Sequence, residues 1–189
     1  MQLKLIKTFL KLGRVSNLPT AWSNALLGAA LAEILSPIPL VFILIGASAA
    51  YIGGMFLNDA FDADYDRKRQ PHRPIPKGEV SEGLVYLNGF LLLGLSIYSF
   101  WMAGKTTAAN LYPWGYLSMG ALVLAIVAYN ALHKEFKQSY VLMGLCRALL
   151  ISTAGLSLGA SFDSNLWVSA GIPLVYVSGF TFLAANRKQ

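Results

Sequence analysis

Six long apolar runs, each bounded by charged residues, proline or glycine, divide most of the chain. They cover residues 19–35, 38–57, 84–103, 111–132, 140–160 and 166–185. A helix needs roughly 20 apolar residues to cross the hydrocarbon core of a bilayer, and shorter apolar stretches are typical of soluble cores. The pattern predicts an all-α fold, a polytopic transmembrane helical bundle of about six spans with both termini on one side.

Residues 1–14 mix lysines with leucine, isoleucine and phenylalanine. Because an amphipathic helix of this kind lies along a membrane surface, we predict an interfacial helix here. A signal peptide is the competing interpretation, since a basic start and an apolar stretch precede the small residues 29–32. The apolar stretch is long for a signal peptide, and a second one follows almost at once, so the polytopic interpretation is preferred.

Charge orients the predicted bundle. The chain is 56% hydrophobic and 13% charged, with a net charge of +6. On one side of the predicted bundle, the loops contain a single basic residue, Lys105. The other side carries Lys4, Lys7, Lys11, Arg14, Arg67, Lys68, Arg69, Arg73, Lys77, Lys134, Lys137, Arg187 and Lys188. The positive-inside rule places that side in the cytoplasm, and it explains the basicity better than nucleic-acid binding does.

Segment 58–82, between the second and third runs, carries the most distinctive chemistry. At about 100° per residue, Asn58, Asp62 and Asp66 share one helical face with Asp59 beside them, while Asp64 points the opposite way. Like charges stacked on one face destabilise a helix, so a cation is the expected partner. Oxygen ligands suit Mg²⁺, which keeps waters and takes substrate phosphates as further ligands. We predict that Asn58, Asp59, Asp62 and Asp66 bind Mg²⁺ in a cytoplasmic aspartate-rich loop, with a merely solvated charged loop as the alternative.

Basic side chains near this segment suit a phosphate group. Arg67 and Arg73 are the candidates within the segment. Arg147 lies about two turns into the fifth run, where a cation is costly unless it faces a partner or a polar cavity. Arg147 is therefore interpreted either as a ligand of a substrate anion or as a snorkelling ion pair.

Residues at the ends of other runs can reach the same place. The fourth run closes with Tyr129, Asn130, His133 and Lys134, which can reach the cavity that the aspartates would border, although a lysine after a span is common. Arg14 and Asn17 stand at the mouth of the first run, where helix capping is an equally good account of Asn17. His133 lacks metal-spaced partners and is assigned no zinc role.

Together these groups suit a lipid-soluble diphosphate. The carboxylates would hold magnesium, the cations would hold phosphate and an apolar cavity would hold the chain. The expected reaction is departure of diphosphate from an allylic chain, with the leaving group's charge neutralised and the carbocation shielded from water. Tyr129 is expected to stabilise positive charge through its ring face.

The arrangement of segment 58–75 resembles the first aspartate-rich motif of the UbiA-type intramembrane prenyltransferases. The matching residues are Asn58-Asp59-x-x-Asp62-x-x-x-Asp66 followed by Arg73-Pro74-Ile75. Segments 16–20, 53–57 and 143–147 are similar to the EboC-like branch of that family. Tyr129 and Lys134 fall where the family has a tyrosine and a lysine after the fourth helix.

The resemblance covers nearly the whole chain. It implies a helical bundle and magnesium-dependent transfer of an isoprenyl group from its diphosphate to a lipophilic or aromatic acceptor. It also implies that Asn58, Asp62 and Asp66 contact metal or diphosphate. Members of the family have further helices and a second aspartate-rich motif in the loop after the sixth helix, where this sequence ends. We therefore expect a truncated product or fragment, a partner chain that supplies the second motif, or a loss of catalysis.

Three other functions also use charged residues near a membrane surface. A non-catalytic lipid-binding or assembly subunit that retains half of the site stays open. Membrane phosphotransferases also use several aspartates, but they need an Asp-Gly start and an Ala-Arg pair that residues 58–66 lack. Transport is disfavoured because the charges gather at the membrane edge rather than at its middle.

Overall fold

The computed structural model describes residues 2–107, 113–134, 136 and 139–186. The described residues form eight α-helices, which confirms the predicted helical bundle: α1 (Gln2–Leu12), α2 (Leu18–Leu31), α3 (Pro37–Phe61), α4 (Ala63–Arg69), α5 (Glu82–Thr106), α6 (Pro113–Leu132), α7 (Ser139–Ser157) and α8 (Ser164–Asn186). A 3₁₀ turn, Val15–Asn17, joins α1 to α2. Lys137, Arg187 and Lys188, which were counted for the predicted topology, lie outside the described residues.

Five of the described helices, α3 and α5 to α8, are long and apolar enough to cross a membrane. Helix α2 occupies the first predicted run but has only 14 residues. It rises about 21 Å at 1.5 Å per residue, against about 30 Å for a hydrocarbon core. It ends before the predicted boundary because Glu33 adopts a left-handed conformation (φ 56°). The prediction of about six spans thus corresponds to five helices of spanning length and one shorter helix.

Helices α2 and α7 pack unusually closely because glycines face each other across their contact. A Cβ atom added to Gly28 would lie 2.8 Å from the backbone nitrogen of Gly155 and would also collide with the carbonyl oxygen of Ile151. Small residues permit such close approach between membrane helices. The α2–α7 contact matters for function because both helices contribute walls to the cavity described below.

Helix α1 is amphipathic, as predicted for residues 1–14. Leu5, Ile6 and Leu10 are exposed, whereas Phe9 packs against Phe56 of α3 with ring centroids 5.5 Å apart. An exposed apolar face is what an interfacial helix presents to lipid. The position of α1 at the membrane surface stays a prediction.

The segment predicted as an aspartate-rich loop, 58–82, is helical in its first half. Asn58 belongs to the last turn of α3, and α4 follows directly after Asp62. Residues 58–69 contain neither proline nor glycine, so nothing in this stretch interrupts helical hydrogen bonding. The irregular half runs from Gln70 to Ser81, whose hydroxyl caps α5 by accepting from the Leu84 N–H.

Candidate active site

The predicted acidic face forms at the junction of α3 and α4. The Asp62 N–H donates to the Asn58 carbonyl (3.0 Å) and the Asp66 N–H donates to the Asp62 carbonyl (2.9 Å), so the one-turn spacing continues across the junction. Asn58, Asp62 and Asp66 are 8%, 7% and 1% exposed. The Asp64 side chain is 93% exposed and pairs with Arg67. The structure therefore separates Asp64 from the buried face, as the spacing predicted.

Arg73 bridges two of the buried carboxylates. Its Nη1 atom lies 2.7 Å from Asp66 Oδ2 and 3.4 Å from Asp59 Oδ1. Its Nε atom donates to Gln70 Oε1 (2.9 Å), which orients the guanidinium. In the described part of the chain, Asp66 Oδ1 is buried and has no hydrogen-bond partner. Because an unpaired buried acceptor is costly, this oxygen is suited to a further cationic ligand.

Asp62 takes its cationic partners from the end of α6. Lys134 Nζ lies 2.8 Å and His133 Nε2 lies 3.3 Å from Asp62 Oδ1. Lys134 also stands over the ring of Tyr65, 3.7 Å from its centroid. His133 was predicted to reach the cavity beside the aspartates without a zinc role, and its ring lies at the site, next to Lys134 and stacked on Tyr129 (centroids 5.4 Å apart).

These contacts shift the pKa values of Asp62 and His133 in opposite directions. Burial opposes ionisation of Asp62, but the contacts with His133 and Lys134 outweigh it and hold the pKa of that carboxyl below its ordinary value. Contact with Asp62 raises the pKa of His133 above its ordinary value, against the effect of burial. The Nδ1 atom of His133 faces the Asn130 carbonyl (3.1 Å), so Nε2 is the atom that gains a proton beside Asp62.

We expect His133 to titrate above the ordinary histidine value of about 6.5 in the metal-free protein. The pairing of protonated His133 with Asp62 should stabilise the fold fully below the unfolded-state pKa of the histidine. This stabilisation should disappear as pH rises through the raised folded-state pKa. The Asp62 contribution should be present above its unfolded-state pKa of about 3.9 and disappear as pH falls through the lowered folded-state pKa. The ion pair between Asp62 and His133 therefore stabilises the fold most between the unfolded-state pKa of the aspartate and that of the histidine.

NMR of the His133 ring against pH measures this shift, with His72→Gln removing the other histidine signal. The pKa of His133 should fall in Asp62→Asn. An identical pKa with and without Asp62→Asn would contradict the pairing.

Arg14 is a third cation beside the acidic face. It adopts a left-handed backbone conformation (φ 44°, ψ 45°), which is uncommon for a residue other than glycine. Its Nη2 atom lies 3.5 Å from Asp59 Oδ1 and 3.4 Å from Asn58 Oδ1. The turn between α1 and α2 thus carries a guanidinium to the end of α3.

A cavity of about 470 Å³ opens beside the acidic face, between α2, α3, α6 and α7. Its apolar lining comes from Ala21, Ala50, Gly54, Met55, Leu122, Ile126, Met143 and Leu150. Its polar lining comes from Arg14, Asn17, Thr20, Tyr51, Asn58, Tyr129, Asn130, Cys146 and Arg147. The volume falls within the range of about 300–1,000 Å³ typical of small-molecule sites. Asn58 and Arg14 join the cavity to the acidic face because they contribute to both.

Arg147 lines this cavity from α7. Its Nη1 atom donates to the Thr20 carbonyl (3.1 Å). Within the residues the structure describes, no carboxylate lies at ion-pairing distance from Arg147. Asn17 also lines the cavity, and its side chain makes no capping hydrogen bond to α2. A half-buried cation without an anionic partner is costly in a membrane and favours an anionic ligand.

Arg67 is the predicted site residue that the structure places elsewhere. Its guanidinium pairs with Asp64 and, through Nη2, with Glu82 Oε2 (2.6 Å) at the exposed start of α5. It contacts neither the buried aspartates nor the cavity wall. A role for Arg67 in substrate binding stays a prediction.

The donor set on the acidic face consists of oxygen atoms, which suits magnesium. Within the described residues, however, no three His, Cys, Asp or Glu side chains are close enough to hold a metal ion by themselves. Magnesium commonly takes one or two carboxylates and completes its shell with water and phosphate. Asn58, Asp59, Asp62 and Asp66 therefore fit a magnesium–phosphate complex better than a bare ion.

The fold and site define an integral-membrane helical bundle with a charged site at the mouth of a largely apolar cavity. Such a cavity suits ligands that are lipophilic at one end and ionic at the other. The chain belongs to the UbiA prenyltransferase family, whose profile matches residues 17–188. The family resemblance predicted from the aspartate-rich motif is confirmed. The narrower resemblance to the EboC-like branch stays a prediction.

Individual relatives agree with this assignment. The chain is 26% identical over 180 residues to the digeranylgeranylglyceryl phosphate synthase of Sulfolobus acidocaldarius, covering 93% of this chain and 60% of the relative. It is 34% identical over 102 residues to the synthase of that name from Methanocaldococcus jannaschii, covering 50% of this chain and 35% of the relative. The chain thus spans about 60% of the length of the first of these relatives.

A solved structure has a similar fold. It comes from work on digeranylgeranylglyceryl phosphate synthase in membranes and superimposes with a TM-score of 0.77 at 19% sequence identity. The match covers 95% of this chain and 61% of the other. At this identity the likeness supports the fold and the membrane bundle.

Proposed function

We propose that the chain transfers an isoprenyl group from its diphosphate to a lipophilic acceptor within the membrane, in a magnesium-dependent reaction. The observation that carries this proposal is the acidic face itself. Three buried aspartates are each in contact with a cation, and the neighbouring Asn58 and Arg14 line a cavity of about 470 Å³. Membership of the UbiA prenyltransferase family supports the reaction type.

The donor diphosphate would bind at the acidic face. Arg73 and Lys134 would donate to its phosphate oxygens, because both cations lie beside carboxylates that can share a metal with phosphate. Magnesium held by these carboxylates would neutralise negative charge on the departing diphosphate. By the positive-inside rule this end of the bundle faces the cytoplasm.

The isoprenyl chain would lie in the cavity. Leu122, Ile126 and Met143 give its wall an apolar surface that excludes water from a cationic allylic centre. Tyr129 lines the same cavity as Asn58, and its ring would stabilise positive charge near the diphosphate end. The side chains thus bind the two ends of one amphiphilic donor.

The acceptor would enter from the Arg147 side of the cavity and carry an anionic group. Arg147 and Asn17 offer donors there that the acidic face does not use. The relatives' name, digeranylgeranylglyceryl phosphate synthase, contains a phosphate and agrees with an anionic head group. We therefore favour a phosphate-bearing lipid acceptor over a neutral aromatic one.

Arg147→Gln is expected to raise the acceptor KM by about tenfold, the effect of losing one charge-assisted contact. The dissociation constant of a non-reactive isoprenyl thiodiphosphate should change less than twofold, because Arg147 contacts the Thr20 carbonyl and, within the described residues, forms no ion pair with the aspartates of the acidic face. Arg147→Lys keeps the charge and should recover part of the loss. Equal weakening of donor and acceptor in Arg147→Gln would contradict separate sites.

The reaction itself is tested with labelled isoprenyl diphosphate, magnesium and glyceryl-ether phosphate or aromatic acceptors. Release of diphosphate and formation of a prenylated lipid are expected, with a digeranylgeranylglyceryl phosphate synthase as the positive control. In vesicles, donor added outside should react only when the cytoplasmic face is outermost. Absence of product with every acceptor, while the positive control reacts, would refute catalysis by this chain alone.

A second candidate is a non-catalytic lipid-binding subunit that retains half of a prenyltransferase site. The observation that favours it is that every buried aspartate is already paired with a cation. This candidate predicts magnesium-dependent binding of isoprenyl diphosphate without diphosphate release. A partner chain that supplies a second aspartate motif would restore release on addition.

A further inference from the structure

Apart from His133, whose charge depends on pH, the acidic face and its cations are balanced in charge. The three carboxylates belong to Asp59, Asp62 and Asp66. The three permanently charged partners are Arg14, Arg73 and Lys134. Net charge is costly in a buried site at a membrane edge, so a divalent metal alone or a diphosphate alone would disturb the balance. A metal and a diphosphate arriving together nearly restore it.

We infer that Arg73 and Lys134 form an internal latch that occupies the aspartates until diphosphate arrives, so that metal and diphosphate bind cooperatively and each binds weakly alone. This inference rests on the proposed function. Arg73 Nη1 touches both Asp66 Oδ2 and Asp59 Oδ1, so it stands where a metal shared by those carboxylates would be held. A displaced guanidinium keeps its charge and needs a new acceptor, which phosphate oxygens provide.

The local structure lets the cations move while the carboxylates stay. Asp59 and Asp66 are fixed on α3 and α4, and their backbone is held by helical hydrogen bonds. Arg73 lies in the irregular stretch after α4 with its side chain 27% exposed, and Lys134 follows the end of α6 with its side chain 33% exposed. Both cations therefore have room to swing from carboxylate to phosphate.

The latch predicts opposite effects of a single substitution. Arg73→Gln should tighten binding of Mn²⁺, used as a spectroscopic probe for magnesium, by about tenfold or more, because a competing positive charge is removed. The same substitution should weaken binding of isoprenyl thiodiphosphate in the presence of metal by about tenfold, because a phosphate partner is lost. A residue with only a structural role would weaken both.

Mn²⁺ titration by electron paramagnetic resonance on the whole chain in detergent measures the metal affinity. Lys68→Gln is the matched control, because it removes the same charge from the exposed face of α4. It should leave Mn²⁺ affinity within about twofold, since exposed charges are screened. Lys134→Gln tests the latch independently at Asp62 and should also tighten Mn²⁺ binding. A thermal melt of each variant checks that it is folded.

The outcomes separate the latch from the function on which it rests. Unchanged or weaker Mn²⁺ binding in both folded variants, with binding abolished by Asp66→Asn, would overturn the latch and leave the metal site standing. Mn²⁺ binding that tightens equally in Lys68→Gln would also overturn it, because general electrostatics would then be the cause. No Mn²⁺ binding in any variant, with or without the thiodiphosphate, would refute the proposed function and the latch together.

Discussion

Asp66→Asn is expected to lower magnesium-dependent affinity for isoprenyl thiodiphosphate at least about 100-fold, equivalent to about 2.7 kcal/mol. Asp66 is the most buried carboxylate of the acidic face, and its Oδ1 atom has no hydrogen-bond partner within the described residues. The substitution removes a proposed magnesium ligand and the main partner of Arg73 at once. Equilibrium binding of the labelled analogue in detergent measures the loss.

Asp64→Asn is the matched control for this prediction. It makes the same chemical change two residues away, on a side chain that is 93% exposed and directed away from the buried face. Its affinity for the analogue should stay within about twofold of the unsubstituted chain, because exposed ion pairs contribute little. Equal losses in Asp64→Asn and Asp66→Asn would remove the distinction on which the site assignment depends.

Gly28→Leu is expected to destabilise the bundle by at least about 3 kcal/mol, the upper part of the range for overpacked sites. A side chain at Gly28 would press on the backbone of α7 at Ile151 and Gly155, and backbone atoms cannot swing away. For a chain of this size the loss corresponds to a fall of about 10 °C in Tm. Because α2 and α7 form two cavity walls, binding of the isoprenyl thiodiphosphate should weaken as well.

Gly94→Leu is the control for Gly28→Leu. A Cβ atom at Gly94 of α5 would meet nothing within 4 Å, so the same substitution there adds an apolar side chain without a collision. Its Tm, measured by intrinsic fluorescence in detergent, should stay within about 2 °C of the unsubstituted chain. A Gly28→Leu variant as stable as Gly94→Leu would show that α2 does not pack on α7 as described.

The sequence predicted the acidic face well because its spacing is a local property. The steps from Asn58 to Asp62 and Asp66 follow from helical periodicity, and the same periodicity excludes Asp64. The long apolar runs likewise predicted the spanning helices. Helix α2 falls short of a membrane-spanning length, because the left-handed turn at Glu33 cannot be seen in a count of apolar residues.

The cationic side of the site could be predicted only in part, because it depends on how distant helices pack. Arg73 and Lys134 were predicted near the aspartates, and the structure brings both into contact with them. His133 was predicted to reach the cavity, but its contact with Asp62 was not predicted, because that contact depends on how the end of α6 packs against the end of α3. Arg67 was grouped with Arg73 by sequence proximity, but the turn of α4 directs it to Asp64 and Glu82.

Photolabelling with an isoprenyl diphosphate analogue that carries a photoreactive group in its tail tests the central claim most directly. We predict that, with magnesium, the label attaches to cavity residues such as Leu122, Ile126 and Met143. With a chelator in place of magnesium, or in Asp66→Asn, labelling of these residues should disappear. Equal labelling with and without magnesium would contradict a donor site formed by the acidic face and the cavity. Labelling of the exposed face of α8 around Val175 and Phe180 would contradict it as well.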